Sequence, residues 1–204
     1  MKTVAFAGIG KMEVREVPDP TPESGQIVVK VEYCGICGSD LHEYHGEGPS
    51  MRASGVFQPV MGHEFTGTIA AVGDGAGLRE GDPVVVHPGG SCGACFYCTN
   101  GLSNVCATQW GTGYMHPGAY AEYCLVKAEM ALPLPDASAL EKAALSEPLG
   151  VALRAINRGG VQPGETVFIA AEALSACSPS SRQPERTPAR SSSPSPPNHA
   201  ESWH

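Results

Sequence analysis

The feature that most constrains this sequence is a cluster of four cysteines in the segment CGACFYCTNGLSNVC. Cys92, Cys95 and Cys98 follow one another in two C-x2-C steps, and Cys106 comes after seven intervening residues. Four thiolates in so short a loop can surround one Zn²⁺ at about 2.3 Å. Because such a set leaves no coordination position open, the cluster predicts a structural zinc site that holds a loop rather than a catalytic one.

Two other interpretations of the cysteine cluster remain open. The thiols could form disulfides or carry no ligand, although close C-x2-C spacing without a signal peptide favours metal. An iron–sulfur cluster of the bacterial type prefers C-x2-C-x2-C-x3-C followed by proline. Here the last gap is longer and the proline is absent, so zinc is the preferred interpretation.

Composition and charge exclude several classes of partner. The chain has 204 residues, is 42% hydrophobic and carries a net charge of −8 with a pI near 5.3. Nucleic-acid binding needs clustered Lys and Arg, so no nucleic-acid partner is expected. No apolar run approaches the roughly 20 residues of a membrane span, and no membrane partner is expected. The N-terminus MKTVAFAGIGKMEV lacks the features of a signal peptide, which predicts a cytoplasmic protein.

The hydrophobic pattern divides the chain into three parts. Residues 1–138 read mostly as strands, rich in β-branched residues and punctuated by Gly and Pro, which predicts a mainly β domain, a barrel or a sandwich. Residues 139–170 contain the helical segment SALEKAALSEPLGVALRAIN, with a break expected at Pro148 and an end at Gly159-Gly160. A buried strand is expected over 166–170, as at the entry to an α/β domain.

A second group of metal-ligand types is dispersed along the chain: Cys37, His63, Glu64 and Glu147. One thiolate, one imidazole and carboxylates are the ligands of a zinc ion that keeps an open or exchangeable position, as catalysis requires. Taken singly, each of these residues is more often structural. The sequence brings them together only through the motifs in which they lie.

Those motifs resemble a known family. The signature of zinc-dependent medium-chain alcohol dehydrogenases is similar to the segment GHEFTGTIAAVGDGAGLREGDPVVV. Their first zinc-ligand segment resembles CGICGSDLHEYHG, and their structural zinc lobe resembles the four-cysteine loop. Their late acidic segment resembles EPLGVALRAI. The motifs occur in family order over about residues 1–170. They most resemble the sorbitol, threonine and butanediol dehydrogenase branch. The resemblance implies a GroES-like barrel catalytic domain followed by a Rossmann domain for NAD(P).

The resemblance also implies roles for individual residues. The catalytic zinc ligands would be Cys37, His63 and Glu64, with Glu147 as a fourth or exchanging ligand. A proton relay to solvent would run through Ser39 and His42, and Asp40 would support the ligand histidine. With the structural site, two zinc ions per chain are expected. The implied partner is a small-molecule alcohol or polyol, and complete family members are expected to form homo-oligomers, an expectation we do not extend to this chain.

The C-terminal segment departs from the family. Residues 171–204 hold nine Ser and six Pro among 34 residues, a composition that predicts disorder. After ETVFIA the family places a G-x-G-x-x-G turn where the cofactor pyrophosphate binds, and here the sequence is AEALSACSPS. The NAD(P) site is therefore expected to be absent. The chain is predicted to contain only the first helix and strand of an incomplete Rossmann domain.

We hypothesise that this tail is the Rossmann segment read in the wrong frame. With GC-rich codons, a shift of one base yields G-x-G-x-x-G at positions 171, 173 and 176, an Ala/Leu helix and a VVV strand ending in an acid near position 195. A genuine tail is the alternative, since TCN serine codons generally become apolar codons in the shifted frame. The coding DNA around codons 168–175 decides between them.

These inferences predict a zinc-dependent oxidoreductase. By family, the reaction is the NAD(P)-linked oxidation of a secondary alcohol or polyol to a ketone. This chain, lacking the cofactor domain, is expected to be inactive alone. The alternative is a non-enzymatic zinc-binding module that uses a GroES-like surface for interaction. The relay residues and the Glu147 segment favour the enzyme, because an interaction module would not need them.

Overall fold

The computed structural model describes residues 1–46 and 60–168. All of these lie in one unit, Met1–Ala171, and a second unit comprises Glu172–His204. The disorder and the shifted reading frame predicted for residues 171–204 concern residues outside the described ranges, and both stay predictions.

The described residues are mainly β, as the sequence predicts. The strands pair antiparallel throughout and are β1 (Lys2–Gly8), β2 (Lys11–Glu16), β3 (Gln26–Cys34), β4 (Phe65–Val72), β5 (Pro83–Val86), β6 (Gly89–Gly90), β7 (Trp110–Gly111), β8 (Tyr123–Lys127) and β9 (Ala131–Pro133). The antiparallel arrangement lets sequential strands connect through short turns.

Five strands form the main sheet, in the spatial order β8–β3–β4–β5–β9. Strands β1 and β2 form a separate hairpin, which is joined to the rest by single bridges from Thr3 to Ala121 and from Ala5 to Val60. Strand β3 pairs with both β4 and β8 and thus lies inside the sheet. The β3–β4 register shifts twice, between Val28 and Val29 and between Val31 and Tyr33, and such irregularities bend a strand and re-aim the residues beyond it.

The core lies on one face of this sheet. Its fully buried side chains alternate along the central strands, as expected where one face is covered: Ile27, Val29, Phe65, Ile69, Val84, Val86 and Val126. Thr66, from the opposite face of β4, donates its hydroxyl proton to the carbonyl oxygen of Leu140 at 2.9 Å. This bond ties the segment after the sheet to β4.

Four α-helices are described: α1 (Gly38–Tyr44), α2 (Phe96–Thr99), α3 (Leu140–Ala143) and α4 (Ser146–Gly159). Helix α4 ends as predicted, with Gly160 as a left-handed cap at a φ of 67°. No helix in the described ranges combines the length and the apolarity needed to cross a bilayer.

Two details of the predicted helical region are wrong. The break between the two helical pieces falls at Ala144 and Leu145, and Pro148 lies within the first turn of α4. A proline is tolerated there because the first backbone N–H groups of a helix have no partner within it. The strand predicted over 166–170 is not formed by residues 166–168, and Phe168 is 92% exposed. Residues 169 and 170 lie outside the described ranges.

Candidate metal centres

Residues 92–106 are here called the cysteine lobe, and its four cysteines converge on one point. Their sulfurs all lie within 4.8 Å of one another. Three of the separations are 3.5 Å (Cys95–Cys98), 3.8 Å (Cys95–Cys106) and 3.9 Å (Cys92–Cys98). A tetrahedron with metal–sulfur bonds of about 2.3 Å has edges of about 3.8 Å. The arrangement therefore fits one zinc ion, and the described cysteines are all free of disulfides.

The cysteine lobe has almost no core of its own. Among residues 92–106 only Cys106 is buried, whereas Phe96, Leu102 and Val105 are exposed. Its base is fastened by Lys127 of β8, whose ammonium group donates to the carbonyl oxygen of Ser91 at 3.1 Å. With so little apolar burial, the sulfur cluster is the main organising element of this segment.

Backbone groups of the cysteine lobe are aimed at the sulfurs. Cys95 N–H points to the Cys92 sulfur and Cys92 N–H to the Cys106 sulfur, each at 3.3 Å. N–H groups from Ala94 and Cys95 lower the pKa of Cys92 to about 6. Burial and the adjacent Cys95 and Cys106 thiols raise the pKa of Cys98 to about 11. Without a counter-charge the cluster cannot ionise fully, and a divalent cation supplies that charge.

A second cluster forms from residues far apart in the sequence. One ligand atom each from Cys37, His63 and Glu64, here called the dispersed site, lies within 4.8 Å of the other two. His63 and Glu64 are buried, with 4% and 8% of their surface exposed, and Cys37 is half-buried. Burial raises the pKa of the Cys37 thiol. Thiol, imidazole and carboxylate form a donor set that suits zinc.

The β3–β4 pair builds the dispersed site. Cys37 follows the end of β3 and is the N-cap of α1, and His63 and Glu64 directly precede β4. Gly35 N–H donates to the carbonyl oxygen of Glu64 at 2.7 Å, which holds the two segments side by side. A β-carbon at Gly35 would collide with the Glu64 carboxylate, so a larger residue there would displace that candidate ligand.

Asp40 lies behind the dispersed site and is 3% exposed. One carboxylate oxygen accepts from Cys37 N–H at 3.0 Å and from the Tyr120 hydroxyl at 2.8 Å. The other is 3.7 Å from His63 Nδ1. Asp40 thus contacts both the helix start that presents Cys37 and the imidazole of His63, which is the position that the sequence comparison implies for a residue supporting the ligand histidine.

The two predicted relay residues share helix α1. Ser39 is half-buried and its hydroxyl lies 2.6 Å from the Tyr114 hydroxyl. His42, three residues later on the helix, is exposed to solvent in the last turn. Residues three apart lie on the same helix face, so the pair leads from the site toward solvent.

Glu147 does not join the three ligand atoms of the dispersed site. It is half-buried in the first turn of α4. Burial raises its pKa, the charge of His63 opposes that rise, and Glu64 adds to it. The carboxylate therefore lies close enough to interact electrostatically with two of the three candidate ligands, without being held at ligand distance.

Tyr114 and Tyr120 are site residues that the sequence reasoning missed. The Tyr114 ring packs on His63 with centroids 4.8 Å apart, and its hydroxyl is 3.3 Å from His63 Nε2. Burial and the nearby Asp40 carboxylate raise the pKa of Tyr114 to about 12, partly offset by its bond to Ser39. Both tyrosines reach the site from the segment before β8, and nothing in their local spacing marks them.

Comparison with known proteins identifies the fold. Residues 23–136, more than half of the chain, match the family model of the alcohol dehydrogenase GroES-like domain. The chain belongs to this family. It is 38% identical over 165 residues to sorbitol dehydrogenase of Halalkalibacterium halodurans, covering 79% of this chain and 46% of that protein.

Solved structures agree with this assignment. The short chain alcohol dehydrogenase rspB of Escherichia coli CFT073, complexed with NADH, is 38% identical with a TM-score of 0.69, over 78% of this chain and 46% of that one. Galactitol-1-phosphate dehydrogenase of Escherichia coli is 33% identical with a TM-score of 0.70, over 78% and 45%. The predicted GroES-like domain and its zinc-type dehydrogenase family are confirmed. This chain spans about half the length of these relatives.

Proposed function

We propose that this GroES-like domain carries the metal half of a zinc-dependent dehydrogenase that oxidises a secondary alcohol or polyol to a ketone. The observation that carries the proposal is the convergence of Cys37, His63 and Glu64 from two segments of the fold, with ligand atoms within 4.8 Å. A site with three protein ligands leaves a position for substrate, unlike the four-thiolate site of the cysteine lobe. The relatives' names, sorbitol and galactitol-1-phosphate dehydrogenase among them, support a polyol as substrate.

The chain's own residues supply binding, orientation and proton transfer. A zinc ion bound there would polarise an alcohol oxygen and lower the pKa of its hydroxyl. Ser39 would accept the hydroxyl proton and pass its own proton to His42, which is exposed to solvent. The Asp40 carboxylate lies 3.7 Å from Nδ1 of His63, which would leave Nε2 as the nitrogen that holds a metal ion. Glu147 would serve as an exchanging ligand.

The hydride acceptor of the reaction must come from NAD(P), which an adjoining domain would hold. The described residues contain no parallel sheet of the dinucleotide-binding type, and no glycine follows Gly164 in the sequence. A G-x-G-x-x-G turn cannot be built from that segment. We therefore propose that the 204-residue chain alone does not oxidise alcohols. A cytoplasmic location remains part of the proposal.

Cobalt substitution tests the catalytic assignment. Co²⁺ reports its ligands through visible absorption, and a site with an open position changes its spectrum when a small ligand enters. We expect imidazole to alter the bands of the dispersed site and to leave the thiolate bands of the cysteine lobe unchanged. Cys37→Ser should abolish the imidazole response. Cys34→Ser, a matched control three residues earlier at the end of β3, should retain it.

Two results would refute the proposal. One is a wild-type chain that binds cobalt only in the cysteine lobe. The other is a dispersed site whose spectrum does not respond to any added ligand, which would indicate a closed structural site. Saturable NAD- or NADP-dependent oxidation of sorbitol or 2,3-butanediol by this chain alone would overturn the claim of inactivity.

A further inference from the structure

Tyr120 lies where the segments that carry the dispersed site meet. Its phenol is half-buried, and its hydroxyl donates to one carboxylate oxygen of Asp40 at 2.8 Å. The same hydroxyl is 3.3 Å from the carbonyl oxygen of Gly35. Because O–H···O bonds usually measure 2.5–3.0 Å, Asp40 is the main acceptor. Burial and the Asp40 charge raise the pKa of Tyr120, so the phenol keeps its proton and remains a donor.

The backbone of Tyr120 is also tied to the segment that precedes His63. Tyr120 N–H donates to the carbonyl oxygen of Met61, and Ala119 N–H to that of Gly62, each at 2.9 Å. Gly62 has a φ of 92°, and a β-carbon there would collide with the Tyr120 ring. The chain can therefore pass this close to the phenol only as glycine. Tyr120 thus contacts the approach to His63 as well as the helix that begins at the dispersed site.

The hydroxyl of Tyr120 fixes the orientation of the Asp40 carboxylate. Oδ2 of Asp40 accepts from both the Tyr120 hydroxyl and Cys37 N–H, at 2.8 and 3.0 Å. Oδ1 is the oxygen that lies 3.7 Å from His63 Nδ1. Two donors on one oxygen prevent the carboxylate from turning, and without the phenol only Cys37 N–H would be left to hold Oδ2. Since Asp40 is 3% exposed, water has little access to replace the lost donor.

We infer that Tyr120 is a positioning residue of the dispersed site, which acts on metal binding through the Asp40 carboxylate. Its hydroxyl holds one carboxylate oxygen beside the imidazole of His63 and the other against the helix start that presents Cys37. Groups behind a ligand histidine orient the ring and strengthen its binding to metal. This inference rests on the proposed function, because it needs a metal ion at the dispersed site. The effect of the phenol should appear only where Asp40 is present.

The test measures cobalt binding to the full chain by visible absorption, in competition with a chelator. Tyr120→Phe keeps the ring and removes the hydroxyl. We expect it to weaken cobalt binding at the dispersed site about threefold to tenfold, the value of one hydrogen bond. The bands of that site should shift, because the histidine is held less firmly, and the thiolate bands of the cysteine lobe should not change.

A matched control is Tyr44→Phe on α1. Tyr44 is also half-buried, and its hydroxyl donates to the carbonyl oxygen of Gly10 at 2.7 Å. Urea unfolding should show a similar loss of stability in the two variants, because each loses one hydrogen bond. Only Tyr120→Phe should change the affinity and the bands of the dispersed site, which separates positioning from a general loosening of the fold.

A double-mutant cycle tests the route through Asp40. In the Asp40→Ala chain there is no carboxylate to orient, so adding Tyr120→Phe should weaken cobalt binding by less than about twofold more. A full additional effect in that chain overturns the inference. So does a Tyr120→Phe chain with unchanged affinity and bands, or one that Tyr44→Phe matches in both. If Asp40→Ala binds too little cobalt to measure, the two single variants still decide.

The wild-type chain separates the inference from the proposed function. Cobalt bound at the dispersed site of the wild type, with no effect of Tyr120→Phe, overturns the inference and leaves the proposed function standing. A wild-type chain that binds no cobalt at the dispersed site contradicts both.

Discussion

The two candidate metal centres of this chain are built in opposite ways. The cysteine lobe draws all four ligands from residues 92–106 and exposes most of its side chains. The dispersed site draws its ligands from the segments after β3 and before β4, and two of the three are buried. In the cysteine lobe, the metal is expected to create the local structure. In the dispersed site, the sheet creates the metal site.

Because of this difference, the shape of each centre should depend on a different part of the molecule. A lobe with no core should lose its shape with its metal, because metal binding and folding are then one process. A site held by strand pairing and by buried Asp40 should keep its shape when empty. Each centre should therefore be breakable without the other, and the following predictions test that independence.

The largest effect is expected for Cys98→Ser. Loss of one of four thiolates should release the zinc of the cysteine lobe, whose binding in small zinc domains is worth on the order of 10 kcal/mol. Limited proteolysis should then cut within residues 92–106 much faster than in the wild-type chain. The far-UV circular dichroism of the sheet should not change, and the dispersed site should keep its metal. Equal protection of this segment in the variant would show that the lobe folds without its metal.

A smaller effect, on the dispersed site instead of the cysteine lobe, is expected for Gly67→Ala in β4. A β-carbon there would overlap the carbonyl oxygen of Lys30 on β3, so the strand pair must shift, at a cost of about 3 kcal/mol. Urea unfolding should show this loss, and the dispersed site should bind metal more weakly. The zinc content of the cysteine lobe should not change.

The control for that variant is Gly150→Ala on α4, where a β-carbon meets no atom within 4 Å. Replacing a helical glycine by alanine should stabilise the chain by about 0.5–1 kcal/mol. If both substitutions have the same effect, the close approach of β3 and β4 at Gly67 is not the cause.

Whether a site residue could be predicted depended on how far apart in the sequence the residues of its site lie. The cysteine lobe was predictable from spacing alone, because its ligands are local. Cys37, His63 and Glu64 were predictable only through family motifs, since nothing in spacing brings the end of β3 to the start of β4. Tyr114 was missed because its contacts with Ser39 and His63 span 75 and 51 positions and leave no local pattern.

The errors in the helical region have the same origin. Pro148 predicts a break because proline disrupts helix interiors, but whether it lies in the interior or in the first turn depends on where the helix begins. The strand expected over 166–170 had the right apolar residues, yet a strand needs a neighbour to pair with. No strand among residues 1–46 and 60–165 pairs with residues 166–168.

A smaller effect than those of Cys98→Ser and Gly67→Ala is expected for Asp40→Asn. The substitution keeps the side-chain size but removes the charge beside His63 Nδ1. Loss of such a supporting group typically weakens metal binding about 10–100-fold. Competition with a chromophoric chelator should show that change at the dispersed site and none at the cysteine lobe. Glu141→Gln, an exposed carboxylate on α3, should leave both affinities unchanged.

The most direct test of two independent centres is the metal content of the purified, reduced chain, measured by mass spectrometry of the elements. We predict two zinc ions per chain for the wild type, one for each centre. Cys37→Ser and Cys98→Ser should each retain one, and the double variant none. Iron in place of zinc, no metal in the wild type, or loss of both ions in either single variant would contradict the account.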